Sequence, residues 1–377
     1  MRIAVPREPD SEHRVALTPQ VVVRMVENRH QVTIESGAGS AAGFNDEQYR
    51  SAGADVSSDP LAGADVVLVV GPPTPELIDR IPSDAVLIGF LDPFTAGPSV
   101  KAMIERGITS FAMEAIPRTT LAQSMDALSS QATAAGYQAV LTAATTSPRL
   151  FPMLVTAAGT VPPVKLLVLG AGVAGLQAIA TAKRLGAVVS AYDIRPEVSQ
   201  QIESLGAKFV AAPVDESAAA ASGYAKEVAD ETQRRQQDAL SPHVAESDVV
   251  ITTAQIPGSP APLLVSTEMV ERMRPGSVIV DVAAPTGGNC EPTIPGETIV
   301  INGVTIVGAL DLAGQVAYDA SQMYARNVTS LLDRMTGEDG GLSMDFDDEI
   351  ISEACITHEG KVKHPVVRRR ISSEGTS

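Results

Sequence analysis

Short apolar runs alternate with amphipathic stretches along most of the chain. In the first third, Arg2–Val5, Val32–Ile34, Val66–Val70, Val86–Phe90 and Thr109–Ala112 have the length and composition of strands. Helical spacing of apolar positions falls between them, as in Pro19–Glu27 and Val100–Arg106. Val- and Ile-rich strands alternating with helices predict a parallel sheet covered on both faces. A second alternation follows. Val164–Leu169 reads as a strand, Val173–Leu185 as a helix and Val188–Tyr192 as a strand. Lys208–Val210, Asp248–Thr253 and Ser277–Val282 continue it as buried strands, and Asn302-Gly303, between Thr298–Ile301 and Val304–Val307, predicts a tight hairpin.

Two longer helical stretches frame the second alternation. Ser129–Thr145 is Ala-rich with Gly136 inside it, and small residues let such a helix pack closely as a spine between domains. Gln315–Met335 is helical again and suits a return that completes the first domain. The expectation is an α/β protein with two doubly wound parallel-sheet domains joined by long helices, residues 1–128 plus 310–377 and residues 129–309. A chain of 377 residues suits two domains. From Asp339 onward the sequence is polar, with Arg368–Arg370 near its end.

Charge and composition exclude several functions. Lys plus Arg number 28 against 45 Asp plus Glu, a formal charge of -17. Such a surface repels phosphate backbones and anionic membranes. Trp is absent and aromatics are 3%, so base-stacking platforms are excluded as well. No apolar run approaches the ~20 residues that span a bilayer, and the densest, Val66–Val70 and Val86–Leu91, have strand length. Met1–Val5 enters a strand directly, with no pattern of a secretory signal. Cys290 and Cys355 are too few for a disulfide framework or a cysteine zinc site, and the five histidines have no metal-ligand spacing. A reducing cytoplasm fits this usage.

The sharpest local signal is Leu166-Leu-Val-Leu-Gly170-Ala-Gly172-Val-Ala-Gly175, placed after a strand and opening a helix. The following strand ends at Asp193. This is the dinucleotide fingerprint, and each element of it has a mechanical role. Gly170 makes the tight turn, Gly172 admits the pyrophosphate, and Gly175 lets helix and strand pack closely. The helix start at Val173 offers backbone N–H groups to phosphate. Asp193 accepts from the adenosine ribose and repels a 2′-phosphate, so NAD(H) is favoured over NADP(H). Next to it, past Ile194, Arg195 either lies over the adenine, faces solvent or argues for a 2′-phosphate.

Other residues are ambiguous from the sequence alone. Arg118, Gln123 and Asp126 precede the spine helix. Arg118 and Asp126 can pair across a loop, or Ser124 or Asp126 can simply cap the helix. The long connection between Val214 and Asp248 holds Gly223-Tyr224 and a charged helical stretch; it is either a solvated excursion or a lid hinged at Gly223. Gln255 follows a strand on the side where doubly wound sheets hold ligands.

Several segments together resemble one family. Pro6-Arg-Glu-Pro-Asp-Ser-Glu-His-Arg14-Val-Ala-Leu-Thr-Pro19 is similar to the N-terminal signature shared by alanine dehydrogenase and nicotinamide nucleotide transhydrogenase, and the fingerprint through Asp193 resembles the second shared signature. In the dehydrogenase branch a lysine, a histidine and an aspartate act on the substrate. The corresponding segments here read Leu68-Val-Val-Gly71-Pro-Pro, Gly89-Phe-Leu-Asp92-Pro and Asp281-Val-Ala-Ala284-Pro285, leaving only Arg14 of that set. The transhydrogenase branch is matched by the loop of Arg118, Gln123 and Asp126 with Ser129 and Ser130 after it. It is also matched by Ser222-Gly223-Tyr224-Ala-Lys226, which resembles a mobile loop, and by Thr253-Ala-Gln255-Ile-Pro-Gly, where Gln255 replaces the usual leucine.

The resemblance implies two Rossmann-like domains and a soluble NAD(H)-binding component. Such a component passes hydride between NAD(H) and NADP(H), the latter held on a beta subunit partner. Membrane subunits, including alpha-2, couple this to proton movement. It implies a homodimer, attached to the cytoplasmic side of the membrane only through partners, and a chain corresponding to the first piece of a split alpha subunit. Arg118, Gln123, Ser124, Met125, Asp126 and Ser129 are expected at the nicotinamide end. Gly170, Gly172, Val173, Gly175, Asp193, Ile194 and Arg195 are expected at the pyrophosphate and adenosine, with Gly223, Tyr224 and Gln255 closing the site. Hydride transfer between two nicotinamide rings needs positioning rather than a side-chain base. The alternative is an NAD-dependent amino-acid dehydrogenase, which needs a proton acceptor.

Overall fold

The computed structural model describes residues 1–95, 97–211, 225–256 and 259–374. It divides the chain into two units, Met1–Gln131 with Ala313–Ser377, and Ala132–Leu312. The first unit opens with β1 (Arg2–Val5), α1 (Pro19–Glu27), β2 (Gln31–Glu35), α2 (Asp46–Ser51), β3 (Asp55–Ser57) and β4 (Val66–Leu68). It continues with α3 (Pro75–Arg80), β5 (Val86–Gly89), α4 (Pro98–Glu105) and β6 (Thr109–Ala112), after which α5 (Ala127–Thr146) carries the chain onward.

The second unit holds β7 (Leu154–Thr156), β8 (Gly159–Val161), β9 (Lys165–Leu169), α6 (Val173–Arg184), β10 (Val188–Tyr192), α7 (Ser199–Ser204) and β11 (Lys208–Phe209). Then come α8 (Ala225–Glu246), β12 (Val249–Thr252), α9 (Thr267–Glu271), β13 (Val278–Asp281), β14 (Thr298–Ile301) and β15 (Val304–Gly308). The chain returns to the first unit with α10 (Ala317–Arg334), α11 (Glu349–Ala354), β16 (Cys355–His358), β17 (Lys361–Val362) and α12 (Pro365–Glu374).

Each unit is built on one parallel-dominated sheet. The first has the order β17-β16-β6-β5-β4-β1-β2-β3, and the second β11-β10-β9-β12-β13-β15-β14. Antiparallel pairing occurs only toward one edge of each, at β16 and β17 in the first and at β14 in the second. In both sheets the first strand of the parallel run sits between its successor and a later strand, which makes the fold doubly wound.

Burial explains the near-continuous apolar strands. Ile3 and Val5 face one core while Ala4 faces another, and Leu166 and Val168 oppose Leu167 and Leu169 in the same way. Each fully buried Val or Leu contributes ~1.5–3 kcal/mol, and only a sheet covered on both sides uses every position. The apolar runs overshoot the ladders: Val69, Val70 and Phe90 follow β4 and β5 as exit loops, with Val69 and Val70 fully buried. The tail after Asp339, polar by composition, nevertheless supplies α11, β16 and α12, anchored by buried Ile350, Ile351, Ile356 and Val367. Among the described residues no helix is long and apolar enough to cross a membrane.

Candidate functional site

The fingerprint sits at the carboxyl end of β9. Gly170 adopts φ 98°, a left-handed turn that a side chain resists. Its neighbour across the turn is Thr253, whose hydroxyl donates to the Gly170 carbonyl at 2.9 Å. A Cβ on Gly175 would lie 1.9 Å from that same carbonyl oxygen, so only glycine lets α6 start this close to β9. A Cβ on Gly172 would meet nothing within 4 Å. Open space thus fronts the first turn of α6, where backbone N–H groups lack helical partners. Val173 is exposed on that turn.

Asp193 ends β10 and is buried, its side chain 6% exposed. One carboxylate oxygen, Oδ2, accepts from the Ala171 N–H at 2.8 Å and from Arg195 Nη2 at 3.1 Å. The other, Oδ1, accepts from the Arg195 backbone N–H and Nε, each at 2.9 Å. Burial pushes this carboxyl up, but the donors from Arg195 and Ala171 outweigh it and hold it below the usual aspartate range. Arg195 therefore does not stand free over an adenine site or in solvent: it is forked onto Asp193. Ile194, between them, is exposed.

Sequence reasoning missed the brace under this rim. Asp281, fully buried at the end of β13, accepts from the Thr252 and Thr293 hydroxyls at 2.8 Å each. It also accepts from backbone N–H groups of Ala283, Asn289 and Cys290. Asn289 in turn bridges to Ala254, accepting from its N–H at 3.0 Å and donating to its carbonyl at 2.8 Å. The exit of β12 is thereby fixed. The signal was an aspartate ending an apolar strand, followed by Gly287-Gly288-Asn289. Gln255 lies on this exit, exposed, with Nε2 3.5 Å from the Val282 carbonyl. Gly223 and Tyr224 lie outside the described residues.

The remaining candidates are in the first unit. Asp126 caps α5: its carboxylate accepts from the Ser129 N–H at 2.8 Å and hydroxyl at 2.6 Å. That satisfies the helix-start role and removes the expected pairing with Arg118. Arg118 and Gln123 are exposed and make no side-chain hydrogen bond among the described residues. Ser124 is exposed, with its carbonyl accepting from Asn327 Nδ2 at 2.8 Å, and Met125 is buried. Asn327 also accepts from the Ser130 hydroxyl, so α10 fixes this loop. Arg14, the residue shared with the dehydrogenase signature, is forked onto Glu12 and reaches Gln131 at 2.8 Å.

Two acids that the sequence reading overlooked occupy the strand exits of the first sheet. Glu8 accepts from the Val70 N–H, and Glu114 accepts from the Leu91 and Asp92 N–H groups. Burial pushes both up to about 7, against the pull of those backbone donors. Oε2 of Glu114 is buried without a partner among the described residues. Tyr324 of α10 is buried beside them and donates to the Val69 carbonyl at 2.6 Å.

Comparison with known proteins agrees with this arrangement. The family model described as alanine dehydrogenase/PNT, N-terminal domain, matches residues 4–135, and the corresponding C-terminal domain matches residues 139–365. The chain belongs to the alanine dehydrogenase/PNT family. Within it, the chain is 45% identical over 379 residues to the first of the split NAD(P) transhydrogenase alpha-subunit chains of Rhodospirillum rubrum, covering 97% of this chain and 99% of that one. The alanine dehydrogenase of Halomonas elongata is 30% identical, covering 99% of this chain and 98% of that one. Among solved structures, a transhydrogenase from Sinorhizobium meliloti superposes with TM-score 0.88 at 44% identity, covering 96% of this chain and all (100%) of that one. The two-domain Rossmann-like architecture of the family is the architecture of this chain.

Proposed function

We propose that this chain is the NAD(H)-binding component of a proton-translocating nicotinamide nucleotide transhydrogenase. It exchanges hydride between NAD(H) and NADP(H), the latter held on a beta subunit. Membrane subunits that include alpha-2 couple the exchange to proton movement. The observation that carries this reading is the near full-length 45% identity to the Rhodospirillum rubrum subunit, against 30% to an alanine dehydrogenase.

The residues present fit a dinucleotide. Open space before Gly172 and the first-turn N–H groups from Val173 suit the pyrophosphate, and Gly170 and Gly175 form the turn that exposes them. Asp193 suits the adenosine ribose, with Ile194 and Arg195 beside it. Gln255 completes the rim, and Gly223-Tyr224 is assigned to closure. To the nicotinamide end we assign Arg118, Gln123, Ser124, Met125, Asp126 and Ser129. Asp126 is held in place by Ser129, whereas exposed Arg118 and Gln123 can turn toward a ligand. Bound NAD(H) supplies or accepts the hydride; the chain's own groups bind, orient and exclude water, and none needs to move a proton.

Membrane attachment is assigned to the partner subunits on the cytoplasmic face. For homodimerisation the support is the β7–β8 hairpin, which with its approach exposes Leu150 (53%), Met153 (60%) and Val155 (75%). Contiguous exposed apolar side chains of this kind mark association surfaces.

The competing reading is an NAD-dependent amino-acid dehydrogenase, favoured by retention of Arg14. Against it, Gly71, Asp92 and Pro285 stand where that branch places its substrate side chains, and the Arg14 fork already holds Glu12. The test is an assay of the purified chain with NAD and alanine or a wider amino-acid panel. The proposal predicts NADH binding without amino-acid turnover; robust turnover would refute it.

A further inference from the structure

The Asp193 carboxylate is saturated from within the chain. A carboxylate offers about four lone-pair sites, and here four N–H groups occupy them: backbone N–H of Ala171 and Arg195, and Nε and Nη2 of Arg195. None is left for a ribose. The four donors are not equivalent. The two backbone donors belong to the fingerprint turn and to the chain just past β10, so they cannot leave. The two guanidinium donors belong to a side chain that is 52% exposed, on a carboxylate that is 6% exposed. They are also divided one to each oxygen, Nε on Oδ1 and Nη2 on Oδ2. A vicinal ribose diol donates in that same pattern, one hydroxyl to each oxygen.

Resting on the reading that this crevice takes NAD(H), we propose that Arg195 is a resident substitute for the ribose diol, and so sets both affinity and selectivity at Asp193. The exchange balances: two charge-assisted hydrogen bonds leave and two arrive, while the backbone donors keep the carboxylate oriented. The guanidinium swings into water, which costs little for an exposed cation. The buried carboxylate is never left unpaired. Arg195 therefore competes with every ribose that enters, and protects Asp193 when none is present.

Selectivity follows from the same pair. A 2′-phosphate cannot donate to Asp193 and sets a second anion against it. The displaced guanidinium is the natural partner of that phosphate, but an ionised Asp193 keeps the fork for itself. Asp193→Asn removes the charge that holds the fork and releases Arg195 toward a 2′-phosphate. The site thus carries a latent NADP(H) preference masked by one carboxylate.

Equilibrium binding of NADH, NADPH, ADP-ribose and 2′-deoxy-ADP-ribose to the full chain tests this. Arg195→Ala is expected to bind NADH and ADP-ribose about 5-fold more tightly, the scale of a half-exposed ion pair, with a smaller gain for the 2′-deoxy analogue. Arg195→Lys, which keeps the charge but loses the fork, should fall between. Asp193→Asn should weaken NADH and gain NADPH binding by at least about 10-fold, and the double variant Asp193→Asn with Arg195→Ala should lose that gain. Unchanged or weaker NADH binding by Arg195→Ala, or an equal gain for the 2′-deoxy analogue, overturns the proposal. Failure of the wild-type chain to bind NADH at all instead overturns the nucleotide reading beneath it.

Discussion

Glu8 and Glu114 show how far a side chain's chemistry depends on its surroundings. In sequence they are two acids among many. In the fold each is desolvated at a strand exit, and each titrates near 7 rather than 4.5. The sign of the consequence follows. Between the unfolded value and about 7, the folded state keeps protons that the unfolded state has lost, so these groups make stability fall as pH rises through that window and level off above it. His30 and His364 are shifted downward by burial and act in the opposite sense, losing stability as pH falls. Comparison with a variant isolates the acid. Glu114→Gln keeps an acceptor for Leu91 and Asp92, and denaturant titrations at pH 5 and pH 8 should show a smaller stability difference than wild type. An identical difference in both proteins would mean that Glu114 is ionised in the fold.

At the scale of elements, the turn at Gly170 and the brace at Asp281 hold the candidate rim. Gly175→Ala places a Cβ against the Gly170 carbonyl, which must move. A destabilisation of about 2–3 kcal/mol is expected from forced overpacking, with weakened NADH binding because the turn shifts with it. Wild-type stability and affinity would show that α6 can slide away freely. Asp281→Ala strands two hydroxyls and three backbone N–H groups in a buried site. At ~1–3 kcal/mol for an unsatisfied buried group, a loss of at least about 3 kcal/mol in chemical unfolding is expected. A loss below about 1 kcal/mol would show that water replaces the carboxylate without cost.

These elements were legible to different degrees, for physical reasons. Buried parallel strands such as Val164–Leu169 announce themselves because both faces need apolar residues. The hairpin was legible because Asn302 and Gly303 both take positive φ, 49° and 80°, which few residue pairs tolerate. The edge strands β3, β11 and β16 were not, because two to four residues carry no period and their partners lie far away in sequence. The glycines and Asp193 were legible because their mechanics are local. The Arg195 fork, the Asp281 brace and the buried acids were not, since each depends on what the fold brings alongside.

At the scale of the whole molecule, the exposed hairpin and the acidic surface bear on assembly. Val155→Asp is expected to shift the chain from dimer to monomer in light scattering at micromolar concentration; an unchanged mass would remove the hairpin from the interface. The charge of -17 and the lack of a spanning helix among the described residues leave membrane attachment to partners in this account. The central claim is hydride exchange with a second nucleotide-binding chain, and reconstitution reads it most directly. The purified chain is mixed with an NADP(H)-binding transhydrogenase beta component, and reduction of an NAD analogue by NADPH is followed optically. The account predicts turnover that requires both proteins and is lost on Asp193→Ala. NADH binding with no hydride exchange at any ratio of the two would contradict it.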